Sequence, residues 1–268
     1  MKYLALLLAL LVVGGCRDSR VDRIEWVSMG TVAAVLFKGG ETDERKRIVA
    51  VVREVFAEIE KLLNAHDSQS ELSSMRTFGD GEILARCSAL VRPCYEAAFK
   101  MRDQTSGQFN PRWKGEKSLD LGAIAKGFAV DLACERIAGA KMEVLVDLGG
   151  NLKAVSGSWR TLVAGSRETI ELTPGMACAT SAEYFRGKHI KNARDGSSPL
   201  SAGKSVTVVH PSSAMTADAL STVMFIMGEK AGVEFALSHY PEVQMVWTDG
   251  KSDAVWYNYR KFNNDERQ

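Results

Sequence analysis

Apolar positions along this chain repeat at two periods, and the period changes where glycine or proline interrupts it. Over residues 42–65, Ile48, Val52, Val55, Ile59, Leu62 and Leu63 return at helical spacing, with charges on the opposite face. That pattern predicts a long amphipathic helix. Residues 88–105 predict a second helix, with Pro93 tolerated only near its first turn and Gly107 closing it. Residues 124–137 predict a third, stopped by Gly139, and 217–227 and 231–238 two more around Gly228. Short runs rich in β-branched and apolar residues predict strands at 29–37, 143–148, 177–181 and 205–210. A strand pair is expected at 160–164 and 169–172, and a terminal hairpin at 243–248 and 254–259 around Asp249-Gly250. Residues 66–73 read as a polar loop or capped turn, and the Gly149-Gly150 pair as a place for close backbone approach. No repeat or linker divides these elements, so the predicted class is α+β in one unit.

Ahead of them lies a segment of a different kind. Lys2 precedes an apolar run from Tyr3 to Val13, followed by Gly14-Gly15-Cys16. The run is too short to span a bilayer and suits the core of a signal peptide. Small residues directly before a cysteine resemble a bacterial lipobox, which implies cleavage before Cys16 and lipid attachment to it. A short buried helix ending in Gly-Gly has the same pattern, but Lys2 and the abrupt switch to Arg17-Asp18-Ser19-Arg20 favour targeting. The expected division is a signal peptide over 1–15, a tether over 16–25, one domain over 26–262 and a polar tail over 263–268. The expected location is the bacterial periplasm, on a lipid anchor. Arg17, where inner-membrane lipoproteins commonly carry aspartate, favours the outer membrane.

Composition adds exclusions. The 268 residues are 46% hydrophobic and 25% charged, enough for a substantial core. Cleavage would remove Lys2, the only charge among the first 15 residues, and take the formal net charge from +1 to zero. Neither value argues for nucleic acid or for a polybasic membrane patch. Cys87, Cys94, Cys134 and Cys178 follow the lipobox cysteine. Cys87 and Cys94 are near enough in sequence to pair, which spacing alone does not decide. No paired Cys/His spacing for zinc, no glycine-rich dinucleotide fingerprint, no P-loop and no G-x-S-x-G elbow occurs.

Two stretches carry candidate chemistry. The first is Ser118-Leu119-Asp120-Leu121-Gly122-Ala123-Ile124-Ala125-Lys126-Gly127, which runs into a helix. The second is Thr216-Ala217-Asp218-Ala219-Leu220-Ser221-Thr222, where Asp218 and Thr222 stand i and i+4 on one helical face. A carboxylate and a hydroxyl so placed suit a hard cation such as Mg²⁺, which keeps few protein ligands and takes phosphate oxygens as well. Lys126 falls in a first helical turn, where the dipole disfavours a cation unless an anion such as phosphate sits there too. An ordinary N-cap and a solvated lysine account for the same residues.

The block from Asp120 to Asp131, then Gly149-Gly150, His189-Ile190 and Ala217–Thr222, resembles the ApbE family of FAD:protein FMN transferases. Met29-Gly30-Thr31, Ser70-Glu71-Leu72-Ser73 and Ser106-Gly107-Gln108-Phe109-Asn110-Pro111 match the same family upstream, in the same order. The resemblance implies a single ApbE-like, T-fold-like domain with mixed or antiparallel sheets and packed helices. It implies Mg²⁺-dependent transfer of FMN from FAD to a Ser or Thr hydroxyl of an acceptor flavoprotein, with release of AMP. The acceptors implied are subunits of membrane redox complexes. By position, Asp218, Thr222 and the backbone carbonyl of Ala123 would hold the metal. Lys126 and Asp120 would contact FAD, and Met29, Phe109, Asn110 and Ile190 would line its pocket. His189 would be the general base, although a surface histidine beside Lys188 is the plainer reading of the residue alone.

The chain also departs from the family pattern. Only Arg112–Leu119 separates Pro111 from Asp120, where relatives carry a much longer segment. Asn110 replaces a usual aspartate, His66 stands where an aromatic often stacks on flavin, and Ala182 replaces a glycine. Two other outcomes therefore stay open: an FAD pyrophosphatase with water as acceptor, and a lipoprotein that binds flavin without catalysis.

Overall fold

The computed structural model describes residues 20–182, 190, 192–197, 204–250 and 254–259. A hairpin opens it, β1 (Val21–Ser28) with β2 (Thr31–Lys38), followed by α1 (Thr42–Leu63). Three shorter helices come next: α2 (Glu71–Ser74), α3 (Asp80–Arg86) and α4 (Arg92–Gln104). Then come α5 (Ala125–Arg136), β3 (Glu143–Leu148), β4 (Asn151–Ser156), β5 (Trp159–Leu162) and β6 (Thr169–Leu172). The chain continues through β7 (Ala177–Ala182), β8 (Ser205–His210), α6 (Ala214–Met227), α7 (Glu229–His239), β9 (Gln244–Thr248) and β10 (Ala254–Tyr257). Eight strands form one sheet in the order β1-β2-β3-β4-β7-β8-β9-β10, and β5 and β6 form a separate hairpin. Every pairing among these strands is antiparallel.

The central strands are apolar on both faces, so each face needs a cover. In β2, Ala33, Val35 and Phe37 pack under the helices, while Ala34 and Leu36 face the other way. Helix α1 buries Ile48, Val49, Val52, Val55, Phe56, Ile59 and Leu63, the stripe that its sequence spacing predicted. Each such side chain contributes about 1.5–3 kcal/mol when fully buried. On the far face the β5–β6 hairpin lays Trp159, Ile170 and Leu172 against Leu36, Leu145, Leu152 and Val209.

Several boundaries differ from the sequence expectation. β1 begins at Val21, inside the stretch expected to be tether, and pairs residue for residue with β2 through Ser28↔Thr31. Its alternation is weak because it is an edge strand carrying Asp22, Arg23 and Glu25, charges of the kind that protect an edge. Met29 is consequently in the hairpin turn and not in the strand. β4 and α3 lacked a distinctive pattern and were not expected. Helix α4 starts four residues later than predicted, with Pro93 in its first turn, where a missing N–H costs nothing. The Cys87–Cys94 pairing that spacing left open does not form: Cys87, Cys94, Cys134 and Cys178 are all buried and free. The signal peptide, Cys16 and the polar tail lie outside the described residues.

Strand directions bring three features to one end of the sheet. The Met29–Gly30 turn joins β1 to β2, the Gly149–Gly150 turn joins β3 to β4, and β7 runs past the start of β4 toward Ala182. Met29 and Gly30 have φ of 48° and 68°, the positive pair of a type I′ hairpin turn. Gly149, at φ 63°, donates its N–H to the Val32 carbonyl at 2.9 Å. Beneath it the buried Asp147 accepts from Gly150 N at 2.9 Å and from Arg23 at 3.3 Å. A side chain on Gly149 would place Cβ 2.6 Å from Thr31 Oγ1 and 2.7 Å from its methyl carbon. The Gly149→Ala substitution is therefore expected to cost about 1–3 kcal/mol. A chemical-denaturation midpoint equal to that of the unaltered chain would contradict this packing.

Candidate functional site

The site grows from the contact between α5 and α6. Helix α6 begins at Ala214, earlier than expected, because Ser213 caps it by accepting Thr216 N–H at 3.0 Å. Asp131, projecting from α5, completes the cap. It accepts Ala214 N–H at 2.8 Å, Met215 N–H at 2.9 Å and the Ser213 hydroxyl at 2.9 Å. Three amides of the first turn are thereby satisfied, and a carboxylate sits at the positive end of the helix. Lys153 ties the cap to β4, donating to Asp131 Oδ1 and to the Ser212 carbonyl, both at 2.7 Å.

The reverse contact is made one turn along. Asp218 of α6 accepts Gly127 N–H of α5 at 3.0 Å, and Lys126 Nζ lies 3.6 Å from the same oxygen. Lys126 also donates to the Gly122 carbonyl at 3.0 Å. Gly127 is required by space, not by backbone angle: a Cβ there would fall 2.3 Å from the Ala214 carbonyl oxygen. Thr222, a turn beyond Asp218, places its hydroxyl 3.3 Å from Ser181 Oγ of β7, which pairs with Ser221 Oγ at 2.9 Å. The anionic partner that Lys126 needs in a first helical turn is thus, in part, Asp218 of this chain.

These donors are all oxygens: one nearly buried carboxylate, the Thr222 hydroxyl, and the turn containing the half-buried Ala123. Among the described residues no group of three or more His, Cys, Asp or Glu could hold a metal ion. One carboxylate with neutral oxygens fits a hard cation that completes its shell with water and phosphate.

Of the remaining predicted residues, Asp120 is tied to this centre through Gly122, and the others are placed by local contacts of their own. Asp120 Oδ1 accepts Gly122 N–H at 2.8 Å and Oδ2 the Trp113 indole N–H at 3.4 Å, which shapes the turn into α5. Phe109 is buried, with its N–H on Thr105 Oγ1 at 3.2 Å, and Asn110 Oδ1 accepts Arg112 N–H at 2.9 Å. Ile190 is buried as well. Ala193 N–H bonds to the Gln108 carbonyl at 3.0 Å, setting the 192–197 turn beside Phe109. Met29 N–H is held by Glu60 Oε2 at 2.9 Å. His189 lies outside the described residues.

Sequence reasoning gave no role to Asp131, Lys153, Ser181 or His210. For Asp131 a signal existed: it stands four residues after Gly127, on the same face of α5. His210 Nδ1 accepts Ser212 N–H at 3.1 Å and Ser213 N–H at 2.9 Å, and its Nε2 lies 3.3 Å from Glu242. Burial holds its pKa below the ordinary histidine value, against the raising influence of Glu242. The neutral ring is the one that accepts both amides.

A model of the ApbE family matches residues 112–247, half of the chain. The FAD:protein FMN transferase of Vibrio cholerae is 32% identical over 157 residues, 50% of this chain and 46% of that protein. That of Haemophilus influenzae is 32% identical over 139 residues, 44% and 40% of the two chains. The chain therefore spans about half the length of the curated relatives it matches. The apo flavinyl transferase ApbE of Pseudomonas stutzeri superposes with a TM-score of 0.69 at 21% identity, covering 89% of this chain and 94% of that one. The ApbE protein of Thermotoga maritima gives 0.69 at 20% identity, covering 88% and 96%. The fold is theirs.

The neutral His210 cap has a pH consequence. A histidine whose folded pKa is lowered leaves the unfolded chain binding more protons, so stability is complete above about 6.5 and falls as pH drops below it. His210→Asn, whose amide oxygen can accept the same i+2 amide, should flatten that fall. Coincident melting-temperature profiles for the two proteins between pH 5 and 8 would remove His210 from the cap.

Proposed function

The chain belongs to the ApbE family, and from that premise we propose that it is an FAD:protein FMN transferase. On this reading it moves FMN from FAD to a serine or threonine hydroxyl of an acceptor flavoprotein and releases AMP, with Mg²⁺ as cofactor. The observation that carries the reading is the Asp218, Lys126 and Thr222 group at the α5–α6 contact, inside the segment the family match covers.

The chemistry balances without oxidation or reduction. The acceptor oxygen bonds to the FMN phosphorus, the pyrophosphate P–O bond breaks toward AMP, and the hydroxyl proton passes to a base. Asp218, Thr222 and the Ala123 carbonyl are the residues that would hold Mg²⁺. When bound, Mg²⁺ supplies charge neutralisation at the diphosphate oxygens. Lys126 adds a cation whose position Asp218 and the Gly122 carbonyl fix in advance, so little reorganisation is needed as charge builds. Asp120 holds the turn that presents Lys126, and Met29, Phe109, Asn110 and Ile190 enclose the nucleotide. His189 is the residue assigned to receive the proton.

Purified protein with FAD, Mg²⁺ and an acceptor subunit of a membrane redox complex should produce flavin fluorescence that survives denaturing electrophoresis. Asp218→Ala should lower that transfer by about 100-fold or more, with the fold retained. Free FMN and AMP with no labelled protein would make water the acceptor. Neither product from the unaltered chain would overturn the assignment.

We also propose that Cys16 carries the lipid anchor, on the periplasmic face of the outer membrane. No described helix is long and apolar enough to cross a membrane. The unaltered chain should sediment with outer-membrane fractions and Cys16→Ser should not; equal distribution of the two would contradict the anchor.

A further inference from the structure

The short segment that joins Pro111 to Asp120 is built as a rigid mount. Arg112, largely buried, donates to four backbone carbonyls: Arg76 at 2.9 Å, Glu116 at 2.6 Å, Ser118 at 3.2 Å and Phe78 at 2.5 Å. Its Nε also lies 3.6 Å from Asp80. One guanidinium thereby pins both ends of the turn and the chain beneath it, through its Nη1 and Nη2 donors. The turn is closed by Trp113 N–H on the Asn110 carbonyl at 3.1 Å and Gly115 N–H on the Arg112 carbonyl at 2.9 Å.

On this mount stands an indole that the core leaves partly in water. Trp113 keeps 36% of its surface exposed, whereas Trp159 and Trp247 are buried in the core. A large aromatic held rigidly and left in water has apolar surface available for a ligand at low entropic cost. Its position is specific. The indole N–H reaches Asp120 Oδ2 at 3.4 Å, Asp120 Oδ1 takes Gly122 N–H, and the Gly122 carbonyl takes Lys126 Nζ. Lys126 in turn meets Asp218. Trp113 is thus joined by a continuous series of polar contacts to the residues assigned to the diphosphate. Lys114 places its ammonium 4.5 Å from the indole centroid, adding positive charge beside an aromatic face.

We propose that Trp113 is a ligand-stacking residue, whose indole receives one planar heteroaromatic ring of the dinucleotide. Lys114 steers the anionic substrate toward it. The assignment rests on FAD being the substrate. It gives the compact Arg112–Leu119 turn a positive role: the turn supplies by one clamped aromatic part of the enclosure that a longer segment would supply by coverage.

Calorimetric titration of the full chain with FAD, FMN and ADP, in parallel with Trp113→Ala and Trp113→Phe, tests this. Trp113→Ala should weaken FAD binding about tenfold, while Trp113→Phe keeps most of the affinity and both variants melt with the unaltered protein. The loss recurs with ADP if the stacked ring is adenine, and with FMN if it is the isoalloxazine. Flavin quenching of tryptophan emission should fall in both variants. Equal FAD affinity in all three proteins overturns the stacking role alone. Failure of the unaltered chain to bind FAD overturns the transferase reading as well, so the two failures are distinct.

Discussion

Two carboxylates exchanged between neighbouring helices set the geometry on which the rest depends. Asp131 of α5 caps the first turn of α6, and Asp218 of α6 accepts an amide from the first turn of α5. The helices run antiparallel at the contact, so each acid meets the positive end of the other helix. Between the two acids, Gly127 lets the backbones approach until no β-carbon would fit. Register, crossing distance and the orientation of Asp218 are therefore fixed by one reciprocal arrangement. Lys153 of β4 fastens it to the sheet, Ser213 completes the cap, and His210 holds the turn that leads into it.

How far the sequence disclosed this differs from element to element. Helix α1, with its clear apolar stripe, and α5, an apolar run stopped by Gly139, were legible to within two residues, and so were the short apolar strands β3 and β8. Edge strand β1 was not, since its charged residues erase the alternation that marks a strand. The α+β class and the ApbE-like fold were readable from the ordered motifs, and the helical spacing of Asp218 and Thr222 was readable from the chain. Ser181 and Lys153 were hidden for a physical reason: their partners are 41 and 22 residues away in sequence, on helices that only tertiary packing lays against these strands. Asp131 lay within a quoted motif, but its job is defined by the amides it meets on another helix.

The electrostatics of the centre are spare. Asp218, Lys126 and the neutral hydroxyls of Ser181, Ser221 and Thr222 meet at the α5–α6–β7 junction, and the buried thiols of the described residues are free. Burial pushes the Cys178 thiol up to about 12 and raises Cys94 and Cys134 as well. Cys94 lies near enough to Asp218 for that carboxylate to add to the shift. The Cys94 thiol is thus silent beside a centre suited to oxygen and phosphate chemistry.

The direction of β1 has a consequence for reach. Only four residues stand between Cys16 and Val21, and Val21 pairs with Lys38 at the end of the sheet opposite the Met29–Gly30 and Gly149–Gly150 turns. The eight residues of β1 set those turns about 25 Å from Val21, the end of the strand nearer the anchor proposed at Cys16. On the proposed transferase and anchor, the rim formed by those turns is separated from the tethered end by a full strand length, room for an acceptor loop to enter between them.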